Sequence, residues 1–156
     1  MLPRFVVVLT VLAASIMPAS AQAKSSPPDA MAIVQDLTAT VQAAIEKQDV
    51  AGWASVTAPD VTILPASNPL TSGGIIHGRA DAEKVYAGMF QQGMKHATIK
   101  VLEAHFIGRS AIWWAGTIHF SGAREIDARI AQVLVRSKGA WRARLVVLSG
   151  DPPHAG

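Results

Sequence analysis

The sequence predicts an α+β domain in which about three N-terminal helices lie on one face of a curved antiparallel sheet. Two observations carry this. Apolar residues recur at helical spacing in three segments before residue 93, whereas alternating, β-branched segments separated by Gly-containing turns fill the chain after it. The resulting order is helix, helix, strand, helix and then a long antiparallel meander. That order segregates helices to one side of a sheet.

The chain opens on a leader. Met1 to Arg4 carries one positive charge, Phe5 to Met17 is dominated by Val, Leu, Ala and Ile, and Pro18 breaks the run. Ala19-Ser20-Ala21-Gln22-Ala23 then offers small residues at cleavage spacing, the third part of a secretory signal peptide. The apolar run falls short of the roughly 20 residues a membrane span needs. Residues 1–23 are therefore expected to be removed after Ala23, with Ala21 as the other cleavage position. The mature chain is expected to be exported, to a periplasm or beyond the cell, and to meet a membrane only during export. Residues 24–29 form a linker that ends in Pro27-Pro28-Asp29, residues 30–149 the domain, and residues 150–156 a tail.

Asp29 is placed to cap a helix over about 30–47, where Ile33, Val34, Leu37, Val41, Ala44 and Ile45 recur on one face. Asp49 is placed to cap a second, short helix over Val50 to Thr57 that contains Trp53. Ala58-Pro59-Asp60 is expected to end it, because proline turns the residue before it away from helix. Val61 to Leu64 is a β-branched strand, and Pro65 to Gly74 a loop rich in Pro, Ser, Asn and Gly. Arg79 to Gln92 returns to helical spacing, with Ala82, Val85, Tyr86, Met89 and Phe90 on one face and Gly93 closing it. Strands follow near 97–107 and 111–120, joined at Gly108-Arg109-Ser110. Two more run near 126–136 and 140–148, around Ser137-Lys138-Gly139.

Composition narrows the function classes. The mature length of 133 residues, 156 less the 23 of the leader, suits one domain with a real core. There is no cysteine, so neither a disulfide nor a lipid anchor on an N-terminal Cys is available. The pI of about 9.6 overstates the charge. Removing Arg4 leaves 13 Lys and Arg against the 11 Asp and Glu, a net charge of +2. The basic residues are scattered apart from Arg136, Lys138, Arg142 and Arg144 near one turn, which reads as a solvated hairpin. No nucleic-acid partner is expected. No metal-binding spacing is present, and neither a metal nor a cofactor is expected.

Three stretches carry a resemblance. Asp49 to Val61, Gly78-Arg79-Ala80-Asp81-Ala82 and Lys138-Gly139-Ala140-Trp141-Arg142 occur in the order in which the nuclear-transport-factor-two-like (SnoaL-like, ketosteroid-isomerase-like) superfamily places its second helix and first strand, the glycine opening its third helix, and its final Gly-x-Trp-Arg hairpin. The resemblance covers roughly residues 30–149. It implies a cone-shaped α+β barrel with an apolar pocket between the concave sheet face and the helices, and it implies homodimers paired through the sheet. Members include isomerases, dehydratases, polyketide cyclases, epoxide hydrolases and non-catalytic binding or association modules, so fold leaves function open.

Strand alternation sorts the side chains. Ile112, Trp114, Gly116, Ile118 and Phe120 share one face, and Leu102, Ala104 and Phe106 share a face of the preceding strand. Both sets are expected to look at the helices, which leaves His105 and His119 facing away. The family often carries pocket histidines two residues apart in the last strand. By resemblance those positions are Leu145 and Val147, which are apolar here and imply a greasier cavity. The expected pocket is Trp53, Tyr86, Trp114, Phe120, Leu145 and Val147. Polar groups that could act there are Asp60 at the mouth of the first strand, Asp127 and Arg129 on one strand face, and His77 at the pocket rim.

The leading expectation is an exported protein that holds a small apolar or amphipathic molecule. One alternative is a cofactor-independent lyase, isomerase or hydrolase with Asp60 or Asp127 as base and Tyr86, His77 or Arg129 polarising a carbonyl. The other is an interaction module that works through the convex face around Trp113 and Val146.

Overall fold

A computed structural model describes residues 29–65 and 74–150. The leader, the linker up to Pro28, most of the 65–74 loop and the tail after Gly150 lie outside the described residues.

Helix α1 spans Ala30–Glu46, and Asp29 caps it by accepting a hydrogen bond from the Ala32 amide at 2.7 Å. Its face of Val34, Leu37, Thr38, Val41 and Ile45 is buried. Helix α2, Val50–Ser55, is capped in the same way by Asp49, which accepts from Gly52 N at 2.9 Å. A side chain at Gly52 would meet the Asp49 carboxylate at 2.4 Å, so the cap requires glycine there. α2 is shorter than expected, because the chain is already extended at Thr57.

Strand β1 runs Thr57–Leu64 and includes Ala58, Pro59 and Asp60, which the sequence places between the second helix and a strand beginning at Val61. Pro59 fits within a strand because the register with β6 jumps there, from Thr57 opposite Ala143 to Thr62 opposite Leu145. A proline in such an irregularity forfeits no ladder hydrogen bond. A two-residue strand β2, Ile76–His77, pairs with β1 and has no counterpart in the sequence reading. α3, Arg79–Gln91, follows and buries Ala82, Tyr86 and Met89. The meander is β3 (Met94–Ile107), β4 (Ala111–Gly122), β5 (Ile126–Ser137) and β6 (Ala140–Gly150). The β5–β6 hairpin turns on Lys138 and Gly139, both at positive φ (50° and 80°), as a two-residue turn with primed geometry requires.

The sheet order is β2-β1-β6-β5-β4-β3. The expected α+β arrangement is present, but the sheet is mixed: β1 runs parallel to β6, while the other neighbours are antiparallel. The sheet does not close, and its edges are β2 and β3. α1 is fastened to the β3 edge where the Ile99 amide donates to Gln42 Oε1 at 2.6 Å. The core between helices and sheet is built on Val34, Ile45, Val61, Ile112, Trp114 and Leu134, each at most 1 % exposed.

Two bulges redirect strand faces. In β3 the register slips between Val101 and Glu103. Leu102, expected to face the helices, is the extra residue and is 58 % exposed, while Val101 packs on the core in its place. Ala104 and Phe106 keep the expected face, opposite Trp114 and Ile112, although Phe106 lies at the periphery and is exposed. In β6 the register slips at Arg144, between the pairs Leu134–Ala143 and Val133–Leu145.

Candidate functional site

A cavity lies between the inner sheet face and the helices. From α1 it takes Leu37, Thr38 and Val41, from α2 Trp53, and from α3 Val85, Tyr86 and Met89. The sheet supplies Ile99, Trp114, Ile118, Phe120, Ile130, Gln132, Ala143, Val146 and Leu148. The space open to the centre of a water molecule is about 70 Å³. That is well below the ~300–1,000 Å³ of drug-sized ligand pockets, so the cavity as it stands suits a small occupant.

Aromatic rings build one wall. Trp53 and Tyr86 stack with centroids 3.8 Å apart and planes 4° from parallel, and Phe90 leans on Trp53 at 5.9 Å and 47°. Tyr86 is buried, and its hydroxyl lies 3.4 Å from Thr57 Oγ1. Burial pushes the phenol pKa up, and the hydrogen bond to Thr57 opposes part of that rise. Tyr86 therefore stays a neutral phenol with a proton to donate. Arg79 fixes this corner from behind. Its Nε donates to the Thr57 carbonyl at 2.9 Å, and a second guanidinium nitrogen donates to the same oxygen.

Among the described residues, Trp114 and Gln132 bring further polar atoms to the sheet wall. The indole Nε1 of Trp114 and the amide Oε1 of Gln132 are buried and have no hydrogen-bond partner among the described residues. Native interiors leave few such groups unmet. No Asp, Glu, His, Lys or Arg lines the cavity among the described residues.

Of the expected pocket residues, Trp53, Tyr86, Trp114 and Phe120 line the cavity, whereas Leu145 and Val147 do not. The Arg144 bulge is the cause. It shifts the alternation of β6 by one residue, so Val146 and Leu148 look inward and Leu145 and Val147 face the other side. Val146, expected on the convex face, is therefore a cavity residue and 7 % exposed.

The polar candidates lie elsewhere. Asp60 is 2.9 Å from Arg144 Nη2, with both side chains more than half exposed. Asp127 is 2.8 Å from His119 Nδ1 on the outer sheet face and is 70 % exposed. Arg129 is exposed on that face too, opposite Thr117. His77 is exposed on β2, while its neighbour Ile76 lines the cavity. None of the four reaches the cavity, so neither carboxylate can take a proton from a molecule inside it. His105 and His119 face outward as expected. His105 stacks on Trp113 at 5.1 Å.

The sequence reading missed Gln132, Thr57 and Thr38. Gln132 had a signal: it is the one polar side chain in the inward series Ala128, Ile130, Gln132, Leu134 of β5. Thr38 likewise interrupts the apolar stripe of α1.

The fold itself is shared widely. A protein of unknown function from Shewanella oneidensis, named as NTF-2-like, superposes with a TM-score of 0.64 at 10% identity, over 74% of this chain and 95% of that one. A Xanthomonas campestris protein provisionally named as a calcium/calmodulin-dependent protein kinase II association domain gives 0.64 at 22% identity, over 77% and 86%. A Streptomyces avermitilis protein provisionally named as a dehydratase of the NTF2-like family gives 0.60 at 13% identity, over 77% and 94%. No protein-family model matches the chain, and no curated protein does. Identities this low speak for a common fold and leave activity to the site.

Proposed function

We propose, from the premise of a nuclear-transport-factor-two-like fold, that this chain is an exported binding protein for a small, uncharged, largely apolar molecule held between helices and sheet. The observation that carries the reading is the lining, in which aromatic and aliphatic side chains surround a few neutral polar groups. Burying about 250 Å² of apolar ligand surface at ~25 cal/mol per Å² contributes about 6 kcal/mol before the costs of association. That corresponds to an affinity of tens of micromolar at best, unless the polar groups add to it. Catalysis by Asp60 or Asp127 is disfavoured because neither is part of the lining.

Native mass spectrometry of the protein purified from its exported compartment tests this. The expected species begins at Lys24 and carries extra mass that extracts into organic solvent. A chain that retains residues 1–23 overturns the export reading. A ligand-free protein whose tryptophan fluorescence shows no saturable response to small hydrocarbons or ketones overturns the binding reading.

The outer sheet face supports a homodimer. Trp113, Val133 and Leu145 form one cross-strand row and Ala115, Ala131 and Val147 the next. This apolar strip crosses β4, β5 and β6, with the exposed Leu102 on the neighbouring β3. It replaces the surface expected around Trp113 and Val146.

A further inference from the structure

We infer that the cavity selects a neutral ligand group presenting one hydrogen-bond acceptor and one donor side by side, a carboxamide being the simplest, which Trp114 and Gln132 read together. The inference rests on the binding reading above and names the chemistry of the ligand.

Trp114 on β4 and Gln132 on β5 are direct cross-strand partners. Both line the cavity, so both side chains leave the same sheet face. Directly opposed residues have Cβ atoms roughly 4.5–5.5 Å apart. Their two unmet groups are complementary in kind. The indole nitrogen can only donate and the amide oxygen can only accept. The rest of the sheet wall is aliphatic or aromatic carbon, from Ile118, Phe120, Ile130, Val146 and Leu148.

A ligand carbonyl oxygen satisfies Trp114, and an N–H or O–H beside it satisfies Gln132. A hydrocarbon leaves both unmet. An ester or ketone serves Trp114 alone. A carboxylate brings two acceptors and a charge, and no cationic side chain lines the cavity among the described residues to receive it. Sites that hold a buried donor or acceptor for a ligand discriminate strongly against analogues that lack the match.

The test uses four probes on one six-carbon ring: cyclohexanecarboxamide, methyl cyclohexanecarboxylate, cyclohexanecarboxylate and ethylcyclohexane. In the purified protein the carboxamide binds at least about tenfold more tightly than the ester, a difference of about 1.4 kcal/mol. The carboxylate binds most weakly. Gln132→Leu reverses the order of carboxamide and ester. The Trp114 indole N–H resonance, assigned by its disappearance in Trp114→Phe, moves with carboxamide and ester but not with ethylcyclohexane. Because this resonance is read in the wild-type protein, it tests the Trp114 contact even where Trp114→Phe binds poorly through a loosened fold.

Ethylcyclohexane binding with no carboxamide preference overturns this inference and leaves the binding reading standing. So does a carboxamide preference that survives in Gln132→Leu. Failure of all four probes to bind overturns both.

Discussion

Gln132→Leu should stabilise the ligand-free protein, although it damages recognition. The Gln132 Oε1 is buried without a partner among the described residues. An unmet buried acceptor costs about 1–3 kcal/mol relative to one that is hydrogen-bonded or hydrated. Leucine has a similar size, removes that acceptor and sets carbon against Ile130, Trp114 and Val146. The Gln132 side chain is only half-buried, so part of the benefit is offset by hydration that the rest of the amide loses. The net gain should be about 1–2 kcal/mol. For a fold of about 120 residues the unfolding entropy is roughly 0.25 kcal/mol per degree, so Tm should rise by about 4–8 °C. Thermal melts and urea titrations of the stripped protein measure this, and the urea midpoint should move with an unchanged slope. A Tm that falls or stays within a degree refutes the reasoning. It would mean that solvent already satisfies the Gln132 oxygen, and that the oxygen is no incentive for a ligand to bind.

Tyr86 is the chain's single tyrosine, so tyrosinate absorbance reports it alone. Its pKa is raised by burial, while the unfolded phenol ionises near 10. Stability is therefore fully present below about pH 10 and is lost as pH rises from there through the folded-state pKa; Tyr86→Phe should flatten that alkaline limb, and a wild-type phenol titrating at its ordinary value would count against the buried placement. Asp60→Asn and Asp127→Asn should each change stability by less than about 1 kcal/mol, because the contacts to Arg144 and His119 are exposed, and should leave probe affinity unchanged. A tenfold affinity loss in either variant would return that carboxylate to the pocket. Val133→Glu, at the centre of the Trp113–Val133–Leu145 row, should convert a dimer to a folded monomer by native mass spectrometry; a wild-type monomer would rule out the sheet-face dimer.

Helix existence, helix caps and the meander were legible because each is decided locally. Asp29 and Asp49 cap within three residues, and the apolar stripe of α1 repeats over a run long enough to declare its period. The parallel β1–β6 pairing was not legible, because it joins Thr57–Leu64 to residues about 80 positions away and leaves no periodic mark on either segment. The same limit applied to Asp60. Whether an Asp after a proline faces a pocket depends on where the strand beside it places an arginine, and Arg144 was recognised only as part of a basic turn.

The pocket was legible to the extent that alternation held. β4 carries no register shift against β5, and its series Ile112, Trp114, Gly116, Ile118 and Phe120 faces inward throughout, as the period of two requires. Gly116 has a further reason to be glycine: a Cβ there would lie 2.2 Å from the Lys100 carbonyl, where β3 approaches just before its bulge. The period fails at Leu102 and Arg144, where one extra residue turns the following side chains to the opposite face of an unbulged strand. Neither residue announces this, because a bulge depends on the partner strand and not on its own side chain. One inserted residue in β6 therefore decides that Val146 and Leu148 meet a ligand while Leu145 and Val147 meet the outer face. β5 has no break across Ala128, Ile130 and Gln132, so the inward direction of Gln132 follows from the sequence alone. Reading it needed only that a polar residue in an apolar series be treated as a candidate ligand contact rather than as an exception to the core.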